Sequence, residues 1–178
     1  GSNGEIDNCN FNGGIGSTYG YNMDIHDNHF SYKDNISKIY KGTLFSLSTN
    51  KTDEDGAYFK IYNNEIEGYN SSGGNGTSRL SKSEFKNNIV KNSTMAIGAN
   101  AEGNYYENSN VGYSLYNYEY RNERFLNSTI GGENNGDNNG MRYFTNFEMN
   151  NCEFASGSPT IKDTVLTNCN IYNSDKTF

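Results

Sequence analysis

A six-residue pattern, apolar-x-Asn-(Asn/Ser/Cys)-x-apolar, returns along this chain often enough to dictate its architecture. It reads Ile6 to Phe11 (IDNCNF), Ile61 to Ile66 (IYNNEI), Phe85 to Val90 (FKNNIV) and Tyr106 to Val111 (YENSNV). It returns as Phe125 to Ile130 (FLNSTI), Met149 to Phe154 (MNNCEF) and Leu166 to Ile171 (LTNCNI). An eighth relative, Ile25 to Phe30 (IHDNHF), has Asp27 in place of the Asn. At this composition about one match would arise by chance over the whole chain, so the repeat belongs to the fold. Successive starts lie 19, 36, 24, 21, 19, 24 and 17 residues apart. The wide step holds two units, with Phe45 to Asn50 (FSLSTN) as a degenerate rung inside it. About nine units of roughly 20 residues make a solenoid in which no unit buries its apolar side alone. Units this short and this rich in Asn, Gly, Ser and Thr suit strands and corners rather than helices, which leaves a β-solenoid.

The pattern reads as two short strands meeting at a tight corner. The first apolar residue points inward. The Asn, or Asp27, takes the left-handed conformation that only Gly, Asn and Asp enter cheaply. The following position (Cys9, Asn28, Asn64, Asn88, Ser109, Ser128, Cys152, Cys169) stacks just inside the corner, where a ladder of Asn amides can bond from coil to coil. Two residues later Phe11, Phe30, Ile66, Val90, Val111, Ile130, Phe154 and Ile171 are expected to form one continuous core stack.

Strand, corner, strand, longer corner, strand is the outline of a right-handed parallel β-helix, the hand favoured for crossovers between parallel strands. In its pattern and its Asn ladder the chain resembles the pectate-lyase-like superfamily of polysaccharide lyases, phage tailspikes and surface adhesins. With no Trp, one Pro and a mean hydropathy of −0.89, the composition agrees with a solvated surface in an extracellular setting, at a cell surface or on a virion. The runner-up is a four-sided pentapeptide-repeat helix, suggested by the five-residue step from Phe85 to Val90 to Met95. Residues 1–2 (Gly-Ser) read as a cloning scar, and 3–178 as a single β-helix domain, a fragment of a longer protein.

Insertions follow the second apolar residue at Asn12 to Ser17, Gly68 to Ser78, Gly131 to Gly140 and Ala155 to Pro159. All are expected to leave one corner and to line one edge of the solenoid, where repeat proteins carry binding surfaces. A net charge of −7 makes nucleic acid and anionic membranes poor partners. No apolar run is long enough to insert in a bilayer.

No catalytic residue can be assigned. Asp24, His26, Asp27 and His29 form the densest titratable cluster, with Asp27 at a corner and the others outward. The superfamily's lyases use acidic calcium ligands and a basic residue near a groove. None of Arg79, Arg121, Arg124 and Arg142 matches a family motif. No cofactor is expected beyond calcium, for which Asp53 to Gly56 and Glu133 to Asn138 offer oxygen ligands without EF-hand spacing. The three Cys share the corner slot and read as reduced filler, with Cys152 and Cys169 about 4.8 Å apart at Cα if their coils adjoin. The six Asn-x-Ser/Thr sequons match the number, about five, that this composition generates by accident.

Fifteen Tyr residues are the best functional hint. Tyr113, Tyr116, Tyr118 and Tyr120 crowd one coil, the last three at alternate positions and so on one strand face. If that face is outward, its rings suit stacking on sugars or a protein partner; if it is inward, they are core. With Arg142 and Tyr143, these are the candidate binding residues. The expected function is a non-catalytic module of a tail spike, tail fibre or cell-surface adhesin, presenting its loop-lined edge to a surface polysaccharide or protein receptor. A tail spike would imply a homotrimer. The alternative is a polysaccharide lyase or glycoside hydrolase, whose paired carboxylates on different coils would leave no trace in the sequence.

Overall fold

The computed structural model describes residues 3–13, 15–19, 22–32, 44–48, 59–69, 84–97, 100–113, 119–132, 143–154 and 160–171. Within them every regular element is a short strand. The first pass of the chain gives β1 (Asn3–Asp7), β2 (Asn10–Phe11) and β3 (Ile15–Tyr19). The second gives β4 (Asn22–His26), β5 (His29–Ser31) and β6 (Phe45–Ser48), the third β7 (Phe59–Tyr62) and β8 (Glu65–Glu67). Then follow β9 (Glu84–Lys86), β10 (Ile89–Lys91) and β11 (Thr94–Ile97), and β12 (Asn100–Glu102), β13 (Tyr105–Glu107) and β14 (Asn110–Tyr113). The sixth pass holds β15 (Glu119–Arg121), β16 (Arg124–Leu126) and β17 (Thr129–Gly132). The last two hold β18 (Tyr143–Thr145), β19 (Glu148–Asn150) and β20 (Glu153–Phe154), then β21 (Thr160–Lys162), β22 (Val165–Thr167) and β23 (Asn170–Ile171).

Pairing is parallel throughout and joins each strand to its counterpart one pass away. The first sheet runs β1-β4-β7-β9-β12-β15-β18-β21, and the second β2-β5-β8-β10-β13-β16-β19-β22. A third face is built by β11-β14-β17-β20-β23. The protein is a parallel β-solenoid, as the repeat predicts.

Two details differ from the sequence reading. Phe45–Ser48 is not an extra rung: β6 pairs with β3, while β4 pairs directly with β7. Among the described residues each of the two long sheets has eight strands, with no rung between β4 and β7 or between β5 and β8. The motif also marks two corners rather than one. Its copies starting at Ile6, Ile25, Ile61 and Phe85 join the first sheet to the second, whereas those starting at Tyr106, Phe125, Met149 and Leu166 join the second to the third face. Accordingly Phe11, Phe30, Ile66 and Val90 stand on the second sheet, and Val111, Ile130, Phe154 and Ile171 on the third face. Phe85, Val90 and Met95 lie on three different sheets, so the five-residue step is simply the distance across a corner. The insertions divide likewise. Gly13 and Gly68 follow second-sheet strands, while Gly131 lies within β17 and Phe154 precedes residues 155–159, which are outside the described set.

The corners themselves are as expected. All eight anticipated positions have positive φ: Asn8, Asp27, Asn63, Asn87, Asn108, Asn127, Asn151 and Asn168, between 49° and 55° except Asn63 at 56°. Among the described residues Asn92, Asn122, Asn146 and Asp163 also have positive φ, again at corners. At Gly103 (φ 74°) the fifth pass has no side chain because a Cβ there would stand 2.5 Å from the Asn87 Oδ1.

Inside the first corner the amides form one directional ladder. Asn28 donates its backbone N–H and its Nδ2 to Asn64 Oδ1 (both 3.1 Å), and Asn64 donates both to Asn88 Oδ1 (3.0 Å each). Asn88 donates to Asn104 Oδ1 at 2.8 and 3.1 Å. Each Nδ2 also reaches back to a carbonyl of the preceding pass, as Asn64 does to Ile25 O at 2.9 Å. Every buried amide thus has its donors and acceptor engaged, which is the condition for burying it at all. The second corner uses hydroxyls. Ser93 N–H donates to Ser109 Oγ and Ser109 N–H to Ser128 Oγ (3.2 Å each). Between the corners Ile25, Phe30, Ile61, Ile66, Phe85, Val90, Val111 and Ile130 are fully enclosed, each contributing about 1.5–3 kcal/mol of apolar burial.

Replacing Asn127 by Val should cost about 1–3 kcal/mol through left-handed strain, with Asn127→Gly close to wild type. Asn88→Leu should cost more, about 2–5 kcal/mol, because two buried donors of Asn64 lose their acceptor. Urea unfolding of the three variants checks both; an Asn127→Val midpoint equal to wild type would refute the corner assignment.

Candidate functional site

Alternation along the first sheet sends every second side chain outward, and parallel register aligns these into two rows. One row runs Glu5, Asp24, Lys60, Glu84 and Asn100, and Glu119 extends it, its backbone N–H donating to Asn100 Oδ1 at 3.0 Å. The other runs Asp7, His26, Tyr62, Lys86, Glu102, Arg121, Thr145 and Lys162. Where β9, β12 and β15 lie side by side, Glu84, Lys86, Asn100, Ala101, Glu102, Glu119 and Arg121 line a shallow depression of about 160 Å³. Lys86 Nζ stands 3.1 Å from Glu84 and 3.9 Å from Glu102, and Arg121 pairs with Glu119. These pairs are solvated and contribute little to stability, but they hold carboxylate and cation side by side across three coils.

At the amino-terminal end of the same face His26 bridges two passes. Its Nδ1 lies 2.6 Å from Asp27 Oδ2 and its Nε2 2.9 Å from Glu5 Oε1, while the ring stacks on Tyr62 at 4.6 Å. Protonated, the imidazole donates from both nitrogens, and the bonds to Asp27 and then to Glu5 raise its pKa above the ordinary 6.5. His29 does not join this group. It lies on the second sheet, 3.2 Å from Glu65 Oε2, so the Asp24–His29 cluster is split between two faces.

The tyrosine row is corrected in part. Tyr113 and Tyr120 are completely buried, their rings 4.4 Å apart in the core, and they present nothing to an external ligand. Inward alternation from Val111 carries Tyr113 to the core, and the five-residue corner step back from Phe125 does the same for Tyr120. Tyr143 takes the register position next to Glu119 on the first sheet. Tyr116, Tyr118 and Arg142 lie outside the described residues, as do the calcium-candidate segments at 53–56 and 133–138. Among the described residues no three His, Cys, Asp or Glu side chains converge in a way that could hold a metal ion.

Sequence reasoning missed Glu123, which occupies the amide slot of the first corner after Asn104. It is wholly enclosed. Its Oε1 accepts the Asn104 N–H at 3.1 Å and the Asn104 Nδ2 at 2.8 Å, and its Oε2 accepts the Tyr113 hydroxyl at 2.9 Å. Burial raises its pKa to about 7 against the opposing pull of these donors. The signal was present as Tyr120-Arg121-Asn122-Glu123-Arg124-Phe125, a copy of the motif with Glu in the small-residue position.

The cysteines are free thiols serving as serine substitutes. Cys9, Cys152 and Cys169 each direct Sγ at the carbonyl two residues back (3.1, 3.2 and 3.2 Å), as Ser93, Ser109 and Ser128 direct Oγ. Cys9, however, sits at the first corner and the other two at the second. No helix is long and apolar enough to cross a membrane among the described residues. Comparison with protein-family models, curated proteins and solved structures finds no match to this chain.

The His26 bridge should titrate above 6.5, and Glu5→Gln should lower its midpoint, in an NMR titration of the imidazole. Because the folded pKa is the raised one, the stability it adds is complete below 6.5 and disappears as pH rises through the raised value. A midpoint unmoved by Glu5→Gln would show that the Glu5 contact is not made.

Proposed function

We propose that this chain is a non-catalytic, right-handed β-helix module of a tail spike, tail fibre or cell-surface adhesin. It binds a glycan on the outer face of the first sheet. The observation that carries the reading is the depression of Glu84, Lys86, Asn100, Glu102, Glu119 and Arg121, an array of charged and amide groups on a rigid, regularly spaced surface. Carboxylates and amides at fixed positions suit the hydroxyls of a sugar, each of which both donates and accepts. The sign of the face narrows the ligand. Outward positions of the described first-sheet strands hold Glu5, Asp7, Asp24, Glu84, Glu102 and Glu119 against Lys60, Lys86, Arg121 and Lys162. With the depression's cations already paired, neutral or amino-bearing saccharides fit better than polyuronates. The module belongs outside the cell or on a virion, and a tail spike would make it a homotrimer.

Three carboxylates around one depression also favour a second reading, a polysaccharide lyase or glycoside hydrolase acting on the same face. A glycan array scored for binding, and after long incubation for new reducing or unsaturated ends, separates the two. Binding of neutral or amino glycans without cleavage is the expected result. Glu102→Ala and Arg121→Ala should each weaken it about tenfold or more, the effect of losing one hydrogen bond to a charged group. New chain ends would select the enzyme and make Glu84, Glu102 and Glu119 the residues to mutate. Binding unaffected by either variant would move the site off this face.

A further inference from the structure

We infer that the Glu123 carboxyl is a proton-binding site built into the corner between β15 and β16, and that its ionisation weakens the joint between the fifth and sixth passes. The inference is independent of the glycan reading.

The geometry carries it. Asn28, Asn64, Asn88 and Asn104 pass hydrogen bonds in one direction, each donating to the Oδ1 of the next, and Glu123 is where that chain ends. Beyond it the slot is apolar, because Phe147 is the corresponding residue of the next pass and is itself enclosed. Everything facing the carboxyl is neutral. Asn104 lies between β12 and β13, Tyr106 on β13, Tyr113 on β14 and Tyr120 on β15, all buried. Arg121 and Arg124 flank it in the chain, but their side chains are 51% and 72% exposed and pair with Glu119 and Glu148 outside. The Tyr106 hydroxyl beside it is buried and, although it makes no hydrogen bond of full geometry, acts on the carboxyl in the same sense as the Asn104 and Tyr113 donors, against the larger effect of burial. An ionised Glu123 therefore rests on three hydrogen bonds and a nearby Tyr106 hydroxyl, with no cation, in an aromatic interior where the cost of burial outweighs these donors and favours the protonated form.

The joint underlies the depression. Glu102 and Arg121 stand two residues before Asn104 and Glu123 on adjacent passes, and Asn122 Nδ2 reaches Glu102 Oε1 at 3.3 Å. Above pH 7 the folded state bears a buried charge that the unfolded state hydrates freely. Since the folded pKa exceeds the unfolded one, the stabilising effect of the proton is complete below the unfolded value and is lost as pH rises through about 7.

The test compares the whole chain with Glu123→Gln, which keeps the shape and the acceptor for Asn104, turns a donor toward Tyr113 as the protonated acid does, and cannot ionise. Urea unfolding from pH 4.5 to 8 should show the wild-type unfolding constant rising about 100-fold more than that of the variant. His26 titrates in both proteins and cancels in the difference. In wild type alone, carbon-13 NMR of the Glu123 carboxyl should give a midpoint near neutrality. Exchange of the Asn104 amide, corrected for its intrinsic rate, should quicken between pH 5 and 8. Parallel stability profiles in the two proteins, or a carboxyl midpoint between about 4 and 5, would overturn the inference. If Glu123→Gln does not fold, the wild-type titration and exchange decide.

Discussion

The structure depends on a side-chain amide that can give and take a hydrogen bond at the strand repeat. Parallel strands lie about 4.8 Å apart, and an Asn amide placed inside a corner spans that gap to its own copy on the next pass. In this protein each rung receives a backbone N–H and an Nδ2–H on one oxygen, as Asn88 does from Asn64. The corner amides that no strand ladder can satisfy are thereby satisfied by the stack. Register follows from this, because a slip by one residue would carry Asn64 outward and Tyr62 or Glu65 into a core that offers them no partners. The left-handed residue before each rung performs the complementary task. Its own N–H joins the next pass, as Asn63 does to Lys86 O at 3.1 Å, and its side chain stays in solvent, where Asn127 and Asn151 continue a second, exposed ladder.

How much of this was legible follows from what each position must satisfy. The left-handed slots were readable because only Asn, Asp and Gly tolerate them, and Asp27 and Gly103 obey the rule for different reasons: one is a near-isostere, the other leaves room for Asn87. Inward positions such as Ile61 and Val90 were readable from alternation. Which corner a motif marks was not. Both corners ask for an apolar residue, a left-handed residue, a small polar residue and an apolar residue five places on, so Phe85 to Val90 and Tyr106 to Val111 look alike although they join different sheets. Where a first-corner copy was altered, as in Ala101-Glu102-Gly103-Asn104 and Phe144-Thr145-Asn146-Phe147, only the second-corner copy matched, and the apparent period jumped. Phe45 to Asn50 was mistaken for a rung because its sequence resembles the motif, whereas Phe45–Ser48 pairs with β3 in a separate two-stranded sheet.

The outward face was less legible still. Nothing in the fold constrains Glu84, Glu102 or Glu119 except that they be polar, and their proximity arises from register between residues far apart in the chain. Spacing along the sequence does not encode it. The fate of the tyrosines shows the converse: Tyr113 and Tyr120 were conspicuous as a cluster, yet the phase fixed by Val111 and Phe125 sends both inward to cover the end of the ladder.

That end joins interior and exterior. If continuity of the ladder were the sole requirement, Asn would serve at position 123 as it does at 104. A carboxylate is the stronger acceptor for a chain of amides all donating the same way, but it brings a buried ionisable group with no cation beside it. Displaced titrations of this kind concentrate at functional sites. Here it falls two residues along the chain from Arg121, in the joint that sets the spacing of Glu102 against Arg121 on the face outside. If this face binds the glycan proposed above, the ladder's last acceptor and the binding groups Glu102 and Arg121 share one joint between the fifth and sixth passes, so that stability and recognition would be coupled there.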